Sequence, residues 1–168
     1  MGEPIFRTKE IPMISDHYVF MDQGLVIDDD TVYNGTAVSM GNPHFVIFVD
    51  DVDAVKLEEI GPRIENHPLF PERTNVEFVQ VIDDNTVKFR VWERGSGETW
   101  ACGTGACAVT VTCIFLSKAG KKDQELNVLV KGGKLKVTYR SDNHVFLKGP
   151  ATHVFDGVIE IPEEILNK

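Results

Sequence analysis

Apolar and polar positions alternate in short runs that predict strands, broken by one long apolar run that predicts a helix. Residues 18–21 and 31–40 read as strands around an Asp28-Asp29-Asp30 turn. Residues 45–49 are continuously apolar, the pattern of a strand covered on both faces. Asp53 is placed to cap a short helix that carries Leu57 and Ile60 on one side. Gly61-Pro62 interrupts it, and Pro62 suits the first position of a second short helix through Ile64. Residues 76–82 and 86–92 are strongly β-forming and flank a hairpin turn at Asp83-Asp84-Asn85. Residues 93–101 hold Gly95 and Gly97 and read as a loop. Residues 126–130, 135–139 and 145–147 form a meander with turns at Gly132-Gly133 and Asp142-Asn143, and 154–161 reads as a last strand.

The stretch 104–119 carries conflicting signals. Val109, Thr110, Val111, Thr112 and Ile114 are β-branched and favour a strand. The run is nevertheless too long for a typical strand, and Lys118 followed by Gly120 is a helix-end signal. A helix that is apolar all round must be buried on every side. The pattern therefore predicts an α+β fold: a single domain over residues 1–168, with mostly antiparallel strands forming a barrel-like sheet around a central buried helix.

Composition narrows the function. The 168 residues are 42% hydrophobic and 26% charged, ordinary values for a globular chain. A net charge of −9 without a basic stripe argues against nucleic acid as a partner. No apolar run approaches the roughly 20 residues of a membrane span, and the start Met1-Gly2-Glu3-Pro4 lacks a signal-peptide pattern. Cys102, Cys107 and Cys113 are odd in number and close together, so reduced thiols in the cytoplasm fit better than a disulfide framework. Their spacing also misses the usual zinc patterns, and no metal is expected.

The chemistry concentrates in residues 93–108. Cys102 falls at the N-terminus of the buried helix, where free N–H groups and the helix dipole favour an anion. A thiolate there is expected to be stabilised, its pKa lowered. Gly103, Thr104 and Gly105 let a carboxylate approach the backbone closely. Gly103-x-Gly105-x-x-Ala108, with Glu125 about twenty residues on, also matches a dinucleotide fingerprint. Its context argues against it: a long loop precedes the glycines, and an antiparallel meander is expected after the helix instead of a parallel crossover. His44 is a candidate proton relay, although a single histidine is more often structural. Asn42 and Asn75 sit at strand starts, and Glu93-Arg94 at a strand end reads first as a surface ion pair.

Four blocks, in this order and spacing, resemble the diaminopimelate epimerases: Gly41-Asn42-Pro43-His44, Arg73-Thr74-Asn75-Val76, Glu93-Arg94-Gly95-Ser96-Gly97-Glu98-Thr99 and Ala101-Cys102-Gly103-Thr104-Gly105-Ala106. Proline racemases and the phenazine-biosynthesis isomerases share that fold but fit the blocks less well. The resemblance runs from the N-terminus to Asp156-Gly157. It implies a cofactor-independent epimerase that interconverts LL- and meso-diaminopimelate with two thiols, one on each face of the α-carbon. Cys102 would be one of them, with His44 and Glu93 influencing its protonation. Gly103 and Thr104 would bind the reacting carboxylate, and Asn42, Asn75, Glu93 and Arg94 the rest of the substrate. The blocks belong to the second of the family's two similar halves. The half with the other catalytic cysteine is then a missing partner, a homodimer is a candidate assembly, and residues 157–168 are the tail that returns to the first half. On a helix, Cys107 lies about 7.5 Å beyond Cys102 along the axis and cannot serve the opposite face. The chain alone is therefore expected not to epimerise. A non-catalytic amino-acid-binding module, or another isomerase of the same fold, are the competing readings.

Overall fold

The computed structural model describes residues 1–166; the tail positions Asn167 and Lys168 lie outside the described residues. After a 3-10 turn at Thr8–Glu10, the chain runs through Gln23–Asp28 (β1), Thr31–Ser39 (β2), Pro43–Phe48 (β3), Leu57–Glu65 (α1), Asn75–Asp83 (β4), Thr86–Glu93 (β5) and Gly97–Glu98 (β6). Gly103–Phe115 (α2), Glu125–Val130 (β7), Gly133–Tyr139 (β8), Val145–Lys148 (β9) and Glu163–Leu166 (α3) follow.

Strand alternation decides how these elements are layered. Successive side chains of a strand point to opposite faces of the sheet. Val38, Val46 and Val79 enter one core with the α2 residues Ala106, Val109 and Cys113. Their neighbours Ala37, Phe45 and Phe78 enter a second core with Leu57, Ile60 and Ile64 of α1. The sheet is thus buried on both faces, as the continuous apolar run of β3 requires.

The sheet order is β1-β2-β3-β4-β5-β7-β8-β9, with β6 on β5. Most pairs are antiparallel, but β3 runs parallel to β4 and β5 parallel to β7. Each parallel pair is bridged by a helix, because parallel neighbours need a long crossover. The fold is α+β with a mixed sheet. The expectation that only antiparallel strands follow α2 is corrected: β7 first crosses over to lie parallel to β5. That argument against a dinucleotide site fails, while the long loop before the glycines stands. Glu125 is engaged by Lys136 and Lys148. Val38 of β2 and Val145 of β9 share the α2 core, so the sheet curls around the helix. Its hydrogen-bonded path nevertheless ends at β1 and β9, and no barrel closes among the described residues.

Several local expectations are also corrected. Residues 18–21 form no strand; Val19 makes a single bridge to Arg7, and the positive φ of 50° at Asp22 breaks the extended run before β1. Asp53 does not cap a helix but pairs with Lys88. The two short helices are one, with Pro62 inside α1. Pro62 removes only its own donor, and its carbonyl is bonded by the Asn66 side chain at 2.7 Å. α2 stops at Phe115, not Ala119. Ser117 takes the left-handed conformation at φ 54°, and Lys118 N–H returns to Cys113 C=O at 2.9 Å. Residues 154–161 form no strand: Val154, Phe155, Val158 and Ile159 are exposed, with no partner strand among the described residues. No described helix is long and apolar enough to cross a membrane.

Gly61 shows tertiary packing overriding local propensity. A Cβ there would lie 2.5 Å from Trp92 Cγ. Helix propensity alone favours Gly61→Ala by about 1 kcal/mol. The clash with a fixed ring opposes it, and the variant is expected to be less stable by about 1–3 kcal/mol. Urea denaturation decides between them: an unchanged or raised midpoint would mean that α1 can shift away from Trp92.

Candidate functional site

Three sequence blocks meet at the first turn of α2. The parallel register pairs His44 with Asn75 and Val46 with Glu77. Because side chains alternate, His44 and Glu77 share the face that carries Val46 and Val79 toward α2. Both are fully buried, and His44 Nδ1 lies 2.7 Å from Glu77 Oε1. The other ring nitrogen of His44 lies 3.0 Å from Asn42 Oδ1. A carboxylate only accepts, so Nδ1–H donates to Glu77; an amide oxygen also only accepts, so Nε2 meets Asn42 either as N–H on a doubly protonated ring or as the acceptor of the turned amide's N–H.

Cys102 is the N-cap residue of α2, in extended conformation, as the sequence predicts. Its thiol accepts the Gly105 N–H at 3.4 Å and lies 3.5 Å from the Thr104 hydroxyl. The N–H groups of Gly103 and Thr104, at the start of the helix, have no acceptor within it and suit an anion. Gly105 is demanded by close approach: a Cβ there would sit 2.8 Å from Glu77 Oε1 and 3.2 Å from Cys102 Sγ. The thiol and the Glu77 carboxylate are therefore no more than about 6 Å apart.

The expected lowering of the Cys102 pKa is corrected. Burial, and next the negative charge of Glu77, push the thiol up to about 12; Glu93 adds in the same direction. The Thr104 hydroxyl and the Gly105 N–H pull it down but do not prevail. A helix N-terminus stabilises a thiolate only where it outweighs desolvation and neighbouring charges, and this one does not. Cys107 and Cys113 are also pushed up to about 12, chiefly by burial, and lie wholly within the α2 core.

Of the other predicted residues, Asn75 is buried and Asn42, Glu93 and Arg94 are half-buried. Asn75 donates through Nδ2 to Pro43 C=O at 2.8 Å and accepts the Arg94 N–H at 2.9 Å. It straps the His44 block to the Glu93-Arg94 block. Glu93 accepts the Thr99 hydroxyl and, through its effect on the thiol, belongs to the surroundings of Cys102. Arg94 donates to Glu72 C=O at 3.0 Å; no ion pair joins it to Glu93 among the described residues.

Two residues escaped the sequence reading. Glu77 carried a signal, a lone charge within the apolar residues Val76, Phe78 and Val79 near the start of β4. Glu65 carried little. It is buried, and its carboxylate accepts Trp92 Nε1 at 2.7 Å, Gly95 N–H at 2.8 Å and Arg73 Nη1 at 3.1 Å, fixing the loop that bears Glu93 and Arg94. Among the described residues, no group of three or more His, Cys, Asp and Glu could hold a metal ion.

Comparison with known proteins identifies a family. Residues 36–154 match the family model described as diaminopimelate epimerase. The chain is 49% identical over 162 residues to a diaminopimelate epimerase of Methanococcus maripaludis, covering 96% of this chain and 57% of that protein. A diaminopimelate epimerase of Agathobacter rectalis is 50% identical over 168 residues, with 96% and 58% covered. The chain thus spans somewhat more than half the length of these curated relatives. Among solved structures, a hydroxyproline epimerase from Agrobacterium vitis superposes with a TM-score of 0.51 at 17% identity, over 72% of this chain and 41% of that one, a likeness of fold alone. With residues 36–154 matching the family model and about half of its residues shared with these relatives, the chain belongs to the diaminopimelate epimerase family.

Proposed function

We propose that this chain forms, as a single domain, one half of the active site of a cofactor-independent amino-acid epimerase acting on diaminopimelate. The observation that carries the reading is the assembly at the α2 N-terminus: Cys102, the Gly103 and Thr104 N–H groups, and the buried His44–Glu77 pair. The substrate's reacting carboxylate sits on those N–H groups, which stabilise the charge that develops when the α-proton leaves. Cys102, held as a thiol by its surroundings, gives its proton to one face of the planar carbanion and becomes a thiolate. The proton lost from the other face goes to a base supplied by a first half-domain. In the reverse direction the roles exchange. Asn42, Asn75, Glu93 and Arg94 line the approach to the substrate's distal end, Asn75 by fixing the loops that present the others. The exposed apolar residues at 154–161 are the surface on which that half-domain rests. The competing reading, a non-catalytic amino-acid-binding module, draws on the burial of Cys107 and Cys113, which leaves Cys102 as the one thiol at the helix start.

Deuterium wash-in with diaminopimelate in heavy water tests the proposal. The chain alone is expected to give no inversion. Addition of the first-half polypeptide of a relative is expected to restore inversion and α-deuteration. Cys102→Ala lowers the restored rate by about 10²–10⁴-fold, the usual contribution of a positioned acid or base. Inversion by the chain alone would refute the half-site reading. Substrate binding with no exchange in the reconstituted sample would favour the binding module.

A further inference from the structure

We infer that Glu77 is a positioning residue for the thiol: a buried carboxylate, anchored at one oxygen by His44, whose charge keeps Cys102 in its protonated form. The inference rests on the reading of Cys102 as the reacting group, and assigns to that site a residue outside its motif blocks. Three observations support it. The carboxylate is fully buried on β4, directly under the α2 N-terminus. One oxygen is committed to His44, while no protein donor among the described residues reaches Oε2. The carboxylate thus has one hydrogen-bonded oxygen and one without a partner among the described residues. Gly105, held open by the lack of a side chain, allows the carboxylate and the thiol to approach within about 6 Å.

The groups around Cys102 are His44 from β3, Glu77 from β4, Glu93 from the end of β5, and Thr104 with the Gly105 N–H from α2; Leu147 of β9, beside Gly103, is apolar. Two carboxylates thus oppose a thiolate, and two hydrogen bonds favour it. A unit charge at this separation in a partly buried site is worth about one to two pH units after partial compensation by His44. The functional consequence is a resting state: Cys102 starts as the proton donor for one direction, and the reverse direction runs from the thiolate that this transfer leaves.

The test is the rate of Cys102 alkylation by iodoacetamide against pH, resolved by peptide mass spectrometry, with Cys107 and Cys113 as internal controls. Glu77→Gln removes the charge at nearly constant shape. Glu77→Met removes it with an apolar chain and serves if the amide fails to fold. Glu77→Asp keeps the charge. The folded charge-free variants are expected to alkylate about tenfold or more faster at pH 8, with the profile displaced about one to two units downward, while Glu77→Asp stays near wild type. An unmoved profile in a folded charge-free variant overturns the assignment. Equal acceleration in Glu77→Asp also overturns it, because loosened packing would then be the cause. No substrate is used, so the two failures are distinguishable: failure of the exchange experiment removes the catalytic meaning of the assignment but not the measured effect of Glu77 on the thiol, and failure here leaves the epimerase reading intact.

Discussion

Phe45→Ala is expected to lower stability by about 3–5 kcal/mol, the range for deleting a fully buried aromatic ring. Phe45 has no exposed surface and packs between Phe20 and Phe70, with ring centroids at 6.0 and 5.5 Å. Its ring also covers Gly35 diagonally across the β2–β3 pair, since Ala37 opposes Phe45 and Gly35 opposes Ile47. A Cβ at Gly35 would come within 2.4 Å of Phe45 Cζ. That closeness makes a coupled prediction. Gly35→Ala alone should cost about 1–3 kcal/mol through overpacking. In the Phe45→Ala background the added methyl enters the vacated space, and most of that cost should vanish. A double-mutant cycle by urea denaturation reads the coupling; additivity within about 0.5 kcal/mol would show that the ring does not depend on the glycine.

Glu65→Ala is expected to cost about 2–4 kcal/mol, through groups left without a partner. The buried carboxylate is the acceptor for Trp92 Nε1 and Gly95 N–H, and both donors lose it together. The ion pair with Arg73 adds little, because that side chain is 51% exposed and screened by water. The consequence extends to the site. Gly95 is anchored at a positive φ of 80° in the loop after β5, and its release frees Glu93 and Arg94. Denaturation should show the stability loss, and amide exchange at Gly95 should rise out of proportion to it. A stability change under about 0.5 kcal/mol, or Gly95 protection that falls only as global stability falls, would place the loop's support elsewhere.

Most of the strands, the buried helix and the site's centre were legible in the sequence because their signals are local, whereas β1 was not. Short β-forming runs marked β2, β4, β5 and the β7–β9 meander, a continuous apolar run marked β3, and a longer apolar run bounded by glycines marked α2 with Cys102 at its start. The motif blocks then carried the family. What sequence could not supply was whatever depends on residues far apart. Pairing direction is set by the path of α1 and α2 across the sheet, so the parallel β3–β4 and β5–β7 pairs were invisible to a reading by local period. Pro62 continues a helix because the fold holds α1 against Trp92, and 154–161 makes no strand because no described edge receives it. The chemistry divides the same way. The sequence placed a thiol at a helix N-terminus, which by itself lowers a pKa. The folded chain buries that thiol and sets Glu77 beside it, and desolvation with a nearby negative charge outweighs the helix end. Local pattern fixes which groups are present and which faces they occupy; the dielectric and charge around them exist only once distant strands have met.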